Sequence, residues 1–386
     1  MLCQPIKLPD NCRPRLIYLT TDLSYGGAET QLMQLAIRMK MLGWDVRVVS
    51  MLSSHIYIGE LNHAGIQVDT LGMTRGVPDP RACFRLATLL RKHPPQVLHA
   101  HMYHANVLAR LTRLLAPIPA LICTAHNTYE SSTRTTQIRE VTARERAYRL
   151  TDPLCDVTTQ VSRVGLERYV RVKAVPMSKI IYVPVGVDID RFKPDAAVRK
   201  AMREALGVND RFVWLAVGRL EEAKDYPNLL QAVSKLNDAD ICVLIAGQGS
   251  LKDSLEALVQ TLGLQDRVRF LGLRTDIPAL MQAADAFVMS SFYEGLPTVL
   301  LEAAASSLPI VATAVGGNGE VVIAGDTGYL VPPRNPAALA DEMRRLMDLL
   351  PADRLRMGEK GRKVVTQNFS LDHIVERWDA IYRSCP

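Results

Sequence analysis

The stretch SSFYEGLPTVLLEAAASSLPIVAT, from Ser290 to Thr313, places two glutamates among residues that are mostly apolar or small. The run AFVMSS leads into it as a predicted strand, and PIVAT ends it as another. Between them, Pro297 suits the first turn of a helix that continues through TVLLEAAAS. Ionised carboxylates are rarely buried without a partner, so Glu294 in the loop and Glu302 in the helix are expected to meet polar groups or a ligand.

The same alternation of strand and helix extends in both directions from this stretch. In the second half the predicted strands and helices are, in order, RFVWLAVGRL, NLLQAVSKL, ICVLIAGQGS, LKDSLEALVQTLGL, RVRFLGL and DIPALMQAA. In the first half they are RLIYLTT, QLMQLAIRMKMLG, DVRVVSML, QVLHAH, ANVLARLTRLLA and ALICTAHN. Alternation of this kind predicts an α/β fold with two doubly wound, Rossmann-like parallel sheets. Such sheets bind ligands at the carboxyl ends of their strands.

The domain boundary is expected in VPVGVDIDRFKPD, residues 183–195, which is rich in proline and aspartate and lies between the two series. We therefore predict an amino-terminal domain over residues 1–190 and a carboxy-terminal domain over residues 191–369. The last segment, residues 370–386, is predicted to be a helix with an apolar face at Ile374, Trp378 and Ile381. Because it follows the completed second domain, we expect it to cross back and pack on the first.

Composition excludes several classes of protein. The chain has 386 residues, of which 48% are hydrophobic and 22% charged, as is usual for folded water-soluble domains. Its seven cysteines are scattered without a C-x-x-C pair, which fits a reducing compartment. No apolar signal segment begins the sequence, and no run reaches about 18 apolar residues, so we expect a cytoplasmic protein. The basic stretches lack interleaved aromatic residues, which argues against nucleic-acid binding.

The charge is divided unevenly along the chain. Lys and Arg minus Asp and Glu give 23 − 15 = +8 for residues 1–190 and 23 − 25 = −2 for residues 191–386. The basic positions of interest are the segment RTTQIREVTARERAYR (134–149) and Arg163, Arg168, Arg171 and Lys173. An anionic membrane surface contacted by the first domain is one interpretation. A solvated surface whose arginines pair with acids is the other, and the sequence leaves both open.

Two cations follow the first strand of the second domain, in VGRLEEAKDYPNLL. Because that strand ends at Gly218, Arg219 and Lys224 are expected at its carboxyl end, where ligands bind. Two cations beside the amino end of a helix can hold a diphosphate and stabilise the charge that grows as it leaves. Taken alone, an exposed pair beside glutamates is the simpler interpretation; the two cations and the two acids together favour a site.

Glycine turns follow strands in both halves. GQGS, with Gly247 and Gly249, follows the predicted strand CVLIA and fits a tight strand-to-helix turn near a nucleotide. In YGGAE, Gly26 and Gly27 would let backbone amides approach a phosphate or a sugar. Each turn is weak evidence by itself, since the dinucleotide-binding spacing G-x-G-x-x-G is absent.

The histidines raise the question of a metal. His99 and His101 alternate on one face of a strand end, His104 follows three positions later, and His126 ends the next predicted strand. No carboxylate or cysteine lies nearby in sequence to complete a zinc site. A structural role or a role facing an acceptor is therefore favoured over a metal site.

This collection of residues resembles the retaining glycosyltransferases of family 4, which have the GT-B fold and include sucrose synthase and bacterial mannosyl- and N-acetylglucosaminyltransferases. The elements that carry the resemblance span both halves in order: GGAE, HAH, AHN, GVD, GRL with Lys224, GQG and the E-x7-E pair of Glu294 and Glu302. The resemblance implies two facing Rossmann-like domains, the first on the acceptor side and the second holding a nucleotide-sugar. One departure is Val185, where many members have asparagine, and Asp188 is left without a role.

The resemblance also assigns roles. It implies that Arg219 and Lys224 bind the donor diphosphate, that Glu302 holds the ribose and that Glu294 holds the hydroxyls of the transferred sugar. Amides around Gly295 and Leu296 would contact sugar and phosphate, Gly26 and Gly27 would close over them, and His126 would lie near the sugar carbon under attack. The full set of predicted site residues is Glu294, Arg219, Lys224, His126, Gly26, Gly27, Gly218, Gly247, Gly249, Gly295, Leu296 and Glu302.

The function expected from this resemblance is retaining transfer of a hexose or N-acetylhexosamine from a UDP-sugar to a hydroxyl acceptor. The acceptor would be a surface polysaccharide or a lipid-linked glycan, the reaction would need no metal, and the enzyme would work in the cytoplasm or on the inner face of the membrane. The alternatives are a sugar-nucleotide epimerase or hydrolase on the same fold, a nicotinamide-dependent oxidoreductase, and a binding module without activity.

Overall fold

The structure is a computed structural model that describes residues 13–53, 56–128, 141–236 and 240–385. The chain divides into two compact units. The first comprises Met1–Val185 together with Asp372–Pro386, and the second is Gly186–Leu371. The division therefore lies within the stretch VPVGVDIDRFKPD, and the chain returns to the first unit after Leu371.

The first unit contains a parallel sheet of seven strands. The strands are β1 (Arg15–Thr20), β2 (Asp45–Leu52), β3 (Gln67–Met73), β4 (Val97–His101), β5 (Ala120–Ala125), β6 (Val157–Gln160) and β7 (Ile180–Tyr182). The helices between them are α1 (Gly27–Met41), α2 (Ile58–His63), α3 (Arg81–Lys92), α4 (Tyr103–Thr112), α5 (Ala143–Thr151) and α6 (Arg163–Arg171). The strand order β3-β2-β1-β4-β5-β6-β7 reverses between β1 and β4, so their carboxyl ends define the topological switch point of this sheet.

The second unit contains a parallel sheet of six strands. Its strands are β8 (Phe212–Val217), β9 (Ile241–Ala246), β10 (Val268–Gly272), β11 (Ala286–Met289), β12 (Ile310–Thr313) and β13 (Gly328–Val331). Its helices are α7 (Ala196–Leu206), α8 (Tyr226–Ser234), α9 (Lys252–Thr261), α10 (Ile277–Ala283), α11 (Thr298–Ala305), α12 (Asn318–Val321), α13 (Pro336–Asp348) and α14 (Pro351–Phe369). The order β10-β9-β8-β11-β12-β13 places the switch point between β8 and β11.

Both sheets are built from strands that are buried on both faces. Every residue of β5 and of β9 is buried, as expected for central strands of a parallel sheet covered by helices on each side. In the second unit, Trp214, Leu229 and Ile245 belong to one core that β8, α8 and β9 share. These observations confirm the predicted α/β fold with two parallel, Rossmann-like sheets.

The last helix, α15 (Leu371–Ser384), packs on the first unit, as the sequence predicted. Its apolar face includes Ile374 and Trp378, but Ile381 is only partly buried and Tyr382 takes its place. The Tyr382 hydroxyl lies 3.1 Å from the Tyr18 hydroxyl and 2.6 Å from His99 Nδ1, so polar contacts as well as apolar packing fasten this helix to the sheet.

Among the described residues, no helix is both long enough and apolar enough to cross a bilayer.

Candidate active site

The centre of the second unit's candidate site is an ion pair between Lys224 and Glu294, with Nζ and Oε1 2.6 Å apart. Lys224 ends a short 3-10 turn that follows β8, and Glu294 lies in the loop that follows β11. These strands are neighbours at the switch point, which is why residues 70 positions apart in sequence meet there. Both side chains are largely buried, with exposed fractions of 20% and 12%.

Hydrogen bonds hold the two loops together beside this pair. Ser290 Oγ donates to the Lys224 carbonyl over 2.9 Å, and the Phe292 amide donates to the Ala223 carbonyl over 3.1 Å. The Tyr226 hydroxyl donates to the Gly218 carbonyl over 3.0 Å, so α8 is tied to the end of β8. A small pocket lies between the ends of the two strands, lined by Ala216, Val217, Lys224, Tyr226, Val288, Met289, Ser290 and Ser291.

Arg219 lies directly after β8, as predicted, but it differs from Lys224 in its surroundings. Its side chain is exposed, and among the described residues it makes no hydrogen bond or ion pair. An exposed guanidinium at the carboxyl end of a central strand is free to bind an anion, because no carboxylate in the described part of the chain neutralises it.

The Glu294 loop rests on a glycine pair that the sequence analysis did not single out. Gly316 and Gly317 follow β12; the Gly317 amide donates to the Gly295 carbonyl over 2.6 Å. Gly316 has φ +52°, and a Cβ there would lie 2.3 Å from the Glu294 carbonyl oxygen. No side chain fits between these two loops, so the pair lets the backbone approach Glu294 and Gly295 closely. The signal was present in VATAVGG, since two adjacent glycines come shortly after the predicted strand PIVAT.

The helix α11 begins at Thr298, directly after the buried Leu296 and Pro297. Pro297 occupies the N-cap position, and its side chain gives the first turn no hydrogen-bond acceptor. The amides of that turn therefore have no side-chain acceptor from the cap, and the helix dipole adds partial positive charge at the same end. An anion is favoured there.

Glu302 is the fifth residue of α11 and is only partly exposed. Burial raises the pKa of its carboxyl from 4.5 to about 7, and the nearby charge of Arg191 opposes part of that rise. A carboxylate in this setting gains from hydroxyl donors, because they replace the water that burial removes.

The predicted glycine turns of this unit have a structural role. A Cβ on Gly247, which has φ +152°, would lie 2.0 Å from the Gly218 carbonyl oxygen, and a Cβ on Gly249 would lie 2.4 Å from the Leu220 carbonyl oxygen. The turns after β8 and β9 therefore pack backbone against backbone. The Leu220 amide donates to the Gln248 carbonyl over 3.0 Å and completes the contact. These glycines fix the loop that carries Arg219.

In the first unit, Gly26 and Gly27 stand at the start of α1, with Gly26 at the N-cap position. Gly26 has φ −175°, an extended conformation that any residue adopts, so its backbone angle does not require glycine. A Cβ on Gly26 would lie 2.2 Å from Glu29 Oε2, the far end of a flexible side chain, so a larger residue fits here if Glu29 shifts. The acidic side chain of Glu29 thus lies against the turn in which we predicted a phosphate or sugar contact.

Three histidines gather at the carboxyl ends of β4 and β5 in the first unit. His99 Nε2 lies 2.6 Å from Thr124 Oγ1, and its Nδ1 lies 2.6 Å from the Tyr382 hydroxyl. His101 Nδ1 lies 3.0 Å from His126 Nε2. Burial lowers the pKa of His99 and His101 well below the usual value and that of His126 to about 4, so all three are neutral at pH 7. His104, in contrast, is exposed on α4.

The described residues contain no group of three His, Cys, Asp or Glu side chains placed to hold a metal ion. Asp188, left unassigned from sequence, accepts hydrogen bonds from the amides of Asp190 and Arg191 at 3.2 and 3.0 Å, so it stabilises its own turn.

The basic residues of the first unit are not all available to a partner. Arg168 is buried in an ion pair with Glu145, with Nε and Oε1 2.7 Å apart, and cannot meet a membrane. Arg163 stacks over the ring of Tyr182. Arg171 and Lys173 are exposed. Of the segment 134–149, residues 134–140 lie outside the described residues.

Comparisons with known proteins agree with this arrangement. The model of Glycosyltransferase Family 4 matches residues 25–191, and that of Glycosyl transferases group 1 matches residues 198–364. The UDP-Gal:alpha-D-GlcNAc-diphosphoundecaprenol alpha-1,3-galactosyltransferase of Escherichia coli is 27% identical over 320 residues, which are 79% of this chain and 80% of that protein. The GDP-mannose-dependent alpha-(1-6)-phosphatidylinositol monomannoside mannosyltransferase of Mycobacterium tuberculosis is 32% identical over 238 residues, 58% of this chain and 59% of that protein.

Among solved structures, HepE of Anabaena in complex with UDP-glucose has a TM-score of 0.83 at 21% identity. The likeness covers 96% of this chain and 99% of that one, and it shows the fold. The chain thus has two parallel Rossmann-like sheets, the E-x7-E pair after β11 and matches to both family models. The chain is therefore a glycosyltransferase that uses a sugar-nucleotide donor, and it belongs to glycosyltransferase family 4, of the GT-B fold.

Proposed function

We propose that this enzyme transfers a hexose or an N-acetylhexosamine from a UDP-sugar to a hydroxyl acceptor with retention of configuration. The observation that carries the proposal is the pair of Lys224 and Glu294 at the switch point of the second unit, beside the start of α11. Lys224 and Glu294 neutralise each other in the absence of a ligand. When the donor binds, the lysine is available to a phosphate and the carboxylate to the sugar hydroxyls.

In this proposal Lys224, Arg219 and the first amides of α11 receive the diphosphate. The two phosphates bring negative charge, so Lys224 Nζ turns from Glu294 to a phosphate oxygen, and Glu294 accepts hydrogen bonds from the sugar. Arg219, which has no partner among the described residues, adds a second charge-assisted contact. Groups aimed at the growing charge of the leaving diphosphate lower the barrier by about 3–4 kcal/mol each when well placed.

Retention follows if the acceptor oxygen attacks from the face that the diphosphate leaves. A leaving phosphate oxygen then takes the acceptor proton, the bond from the anomeric carbon to the diphosphate breaks, and the bond to the acceptor oxygen forms. No protein nucleophile is required. We assign His126 to the sugar carbon under attack, and Gly26 and Gly27 to backbone contacts with the donor.

Glu302 is proposed to hold the ribose through its two hydroxyls, and the amides of Gly295 and Leu296 to contact sugar and phosphate. Replacing Glu302 by alanine should then mainly weaken nucleotide binding. Replacing Lys224 by alanine should mainly lower turnover, because its charge matters most as the diphosphate leaves. Lys235→Ala, at an exposed lysine of the same unit, is the matched control and should change neither. Equal and small effects of both site variants would contradict the assignment.

The donor is the first point to test. The Escherichia coli relative is named for UDP-galactose and the mycobacterial relative for GDP-mannose, so both bases need to be compared. A ligand at 100 times its dissociation constant stabilises the folded protein by about 2.7 kcal/mol. We expect UDP-sugars, but not GDP-mannose, to raise the melting temperature; the reverse result would exclude the UDP assignment.

Products identify the reaction itself. We expect the donor's anomeric configuration in the product by NMR, and transfer only when a hydroxyl acceptor is present. An altered sugar nucleotide or free sugar formed at full rate without acceptor would indicate an epimerase or a hydrolase instead.

Transfer is proposed to be independent of metal, because Lys224, Arg219 and the start of α11 supply the positive charge that the diphosphate needs. Activity should persist in EDTA. Loss in EDTA that Mn²⁺ or Mg²⁺ restores would count against this mechanism.

The acceptor is proposed to be a growing surface polysaccharide or a lipid-linked glycan on the cytoplasmic side of a membrane. The name of the Escherichia coli relative includes alpha-D-GlcNAc-diphosphoundecaprenol, a lipid-linked sugar. The exposed Arg171 and Lys173 of the first unit remain available to anionic lipid, each contributing about 1 kcal/mol near the surface. Co-sedimentation with phosphatidylglycerol vesicles at low salt, and none with neutral vesicles, is the expected result. Equal behaviour with both would dispose of the membrane contact.

A further inference from the structure

The contact between His101 and His126 has no role in the function proposed so far. His101 ends β4, His126 directly follows β5, and His101 Nδ1 lies 3.0 Å from His126 Nε2. The register pairs His101 with Thr124, so the close approach follows from the pairing of neighbouring strands. His101 is 2% exposed, whereas His126 is partly exposed.

Both rings are neutral, because burial lowers the pKa of each below the physiological range. A hydrogen bond between two neutral imidazoles has one N–H donor and one bare nitrogen acceptor. Two arrangements are therefore allowed. Either His101 donates from Nδ1 to His126 Nε2, or His126 donates from Nε2 to His101 Nδ1.

The other nitrogen of His101 distinguishes these arrangements. His101 Nε2 is buried and has no hydrogen-bond partner among the described residues. If His126 donated, His101 would carry its proton on Nε2 and bury an N–H group without an acceptor, which folded proteins rarely tolerate. If His101 donates from Nδ1, its Nε2 is a bare nitrogen and only an acceptor is left unused. The arrangement in which His101 donates from Nδ1 to His126 Nε2 is therefore favoured.

The neighbours of His101 keep its ring in this place. His99 uses both of its nitrogens, on Thr124 and on Tyr382, and its ring centroid lies 4.1 Å from that of His101. The ring of Tyr18 lies 5.8 Å away on centroids. His101 is thus held by packing and has one hydrogen bond to give, which goes to His126.

We propose that His101 is a positioning residue that holds His126 in the tautomer with its proton on Nδ1 and fixes the orientation of its ring. His126 then offers an N–H donor to an oxygen of the reacting sugar or acceptor and does not act as a general base. The catalytic consequence rests on the proposed glycosyl transfer; the tautomer does not.

Nitrogen-15 NMR of the histidine side chains reads the tautomer directly in the full-length protein. We expect the wild-type protein to show the proton of His126 on Nδ1 and a bare Nε2. In His101→Asn the amide Nδ2 takes the position of the donor and should preserve this tautomer. In His101→Leu no donor remains, so the proton should move at least partly to Nε2. A wild-type His126 protonated on Nε2, or a tautomer unchanged in His101→Leu, would overturn the proposal.

Kinetics test the consequence. His101→Leu should lower kcat about tenfold, the loss expected for one oriented hydrogen bond, with little change in the donor KM, and His101→Asn should recover most of it. Tyr18→Phe is the matched control, because it removes the hydroxyl contact with Tyr382 in the same cluster and leaves the bond to His126 intact. It should lower the melting temperature without changing the tautomer. If Tyr18→Phe shifted the tautomer as much as His101→Leu, general loosening of the core would be the cause and the positioning role would be wrong.

The two proposals fail separately. If the protein transfers no sugar, the tautomer of His126 still tests the role of His101. If His101→Leu does not fold, the wild-type and His101→Asn spectra decide between the two arrangements.

Discussion

Replacing Glu302 by glutamine tests whether its carboxylate is as poorly solvated as the structure indicates. The substitution keeps the size of the side chain and removes the charge. Burial raises the pKa of Glu302 from 4.5 to about 7, so the folded state binds a proton that the unfolded state releases. The stability of the wild-type protein is therefore complete below about pH 4.5 and falls as the pH rises through about 7. Glutamine does not titrate, so the stability of the variant does not fall in this way as the pH rises.

The size of the effect follows from the rise in pKa. One pKa unit corresponds to about 1.4 kcal/mol, so the charged form of Glu302 costs up to about 3 kcal/mol in the folded state above pH 7. For a unit of this size, 1 kcal/mol shifts the melting temperature by about 2–4 °C. Relative to the wild-type protein, Glu302→Gln should gain up to about 6–12 °C between about pH 5 and pH 8.

Differential scanning calorimetry of the full chain measures the melting temperature of each variant. When the two units unfold independently, the transition of the unit that contains Glu302 is read separately. The informative number is the change with pH in the difference between variant and wild type, because a constant offset reflects packing of the amide. Glu204→Gln, at an exposed glutamate of α7, is the control and should show no such change. A difference for Glu302→Gln that is the same at both pH values would refute the burial of this carboxylate.

Three further predictions concern stability. Arg168→Met leaves the buried carboxylate of Glu145 without its cationic partner and should cost about 3–5 kcal/mol by urea unfolding, whereas loss of an exposed ion pair would cost under about 1 kcal/mol. Gly247→Ala should cost about 2–4 kcal/mol and lower turnover, because its Cβ would meet the Gly218 carbonyl; wild-type stability in this variant would show that the turn can move. Asp225→Gly should raise stability by about 0.5–1 kcal/mol, since Asp225 has φ +47° and a carboxyl whose pKa burial raises; a lower urea midpoint would show that the aspartate contributes more than its strain costs.

The elements around the opening stretch were predictable because their signals are local. The apolar run before Ser290 and the run PIVAT are buried strands, and the helix between them begins one residue after Pro297. Arg219 and Lys224 follow a strand whose end was visible at Gly218. In a parallel sheet, the order of strands and helices then places these residues at one edge, which is the part of the fold that sequence encodes most directly.

Contacts between distant segments were not predictable in the same way. The sequence placed Lys224 and Glu294 at one site with separate roles, but nothing in it showed that they would pair directly. The burial of Arg168 was also missed, because its partner Glu145 lies on another helix and a lone arginine is usually exposed.

The face of α15 illustrates a different limit. An apolar periodicity favoured Ile381, whereas the structure buries Tyr382, whose hydroxyl lies within hydrogen-bond distance of both Tyr18 and His99. Tyrosine is ambiguous in such a pattern because its ring is apolar and its hydroxyl is polar. Only the position of His99 on β4 decides that Tyr382 faces the sheet.

The return of α15 to the first unit has a consequence for how the chain is made. The second unit is one continuous segment, Gly186–Leu371, interposed within a first unit whose closing piece comes last. During synthesis, domains generally fold as units as they leave the ribosome. Here the segment made first must wait, with the places for Trp378 and Tyr382 uncovered, until α15 (Leu371–Ser384) has been translated. We therefore expect nascent or prematurely terminated chains to depend on chaperones through their amino-terminal half, although that half is made first.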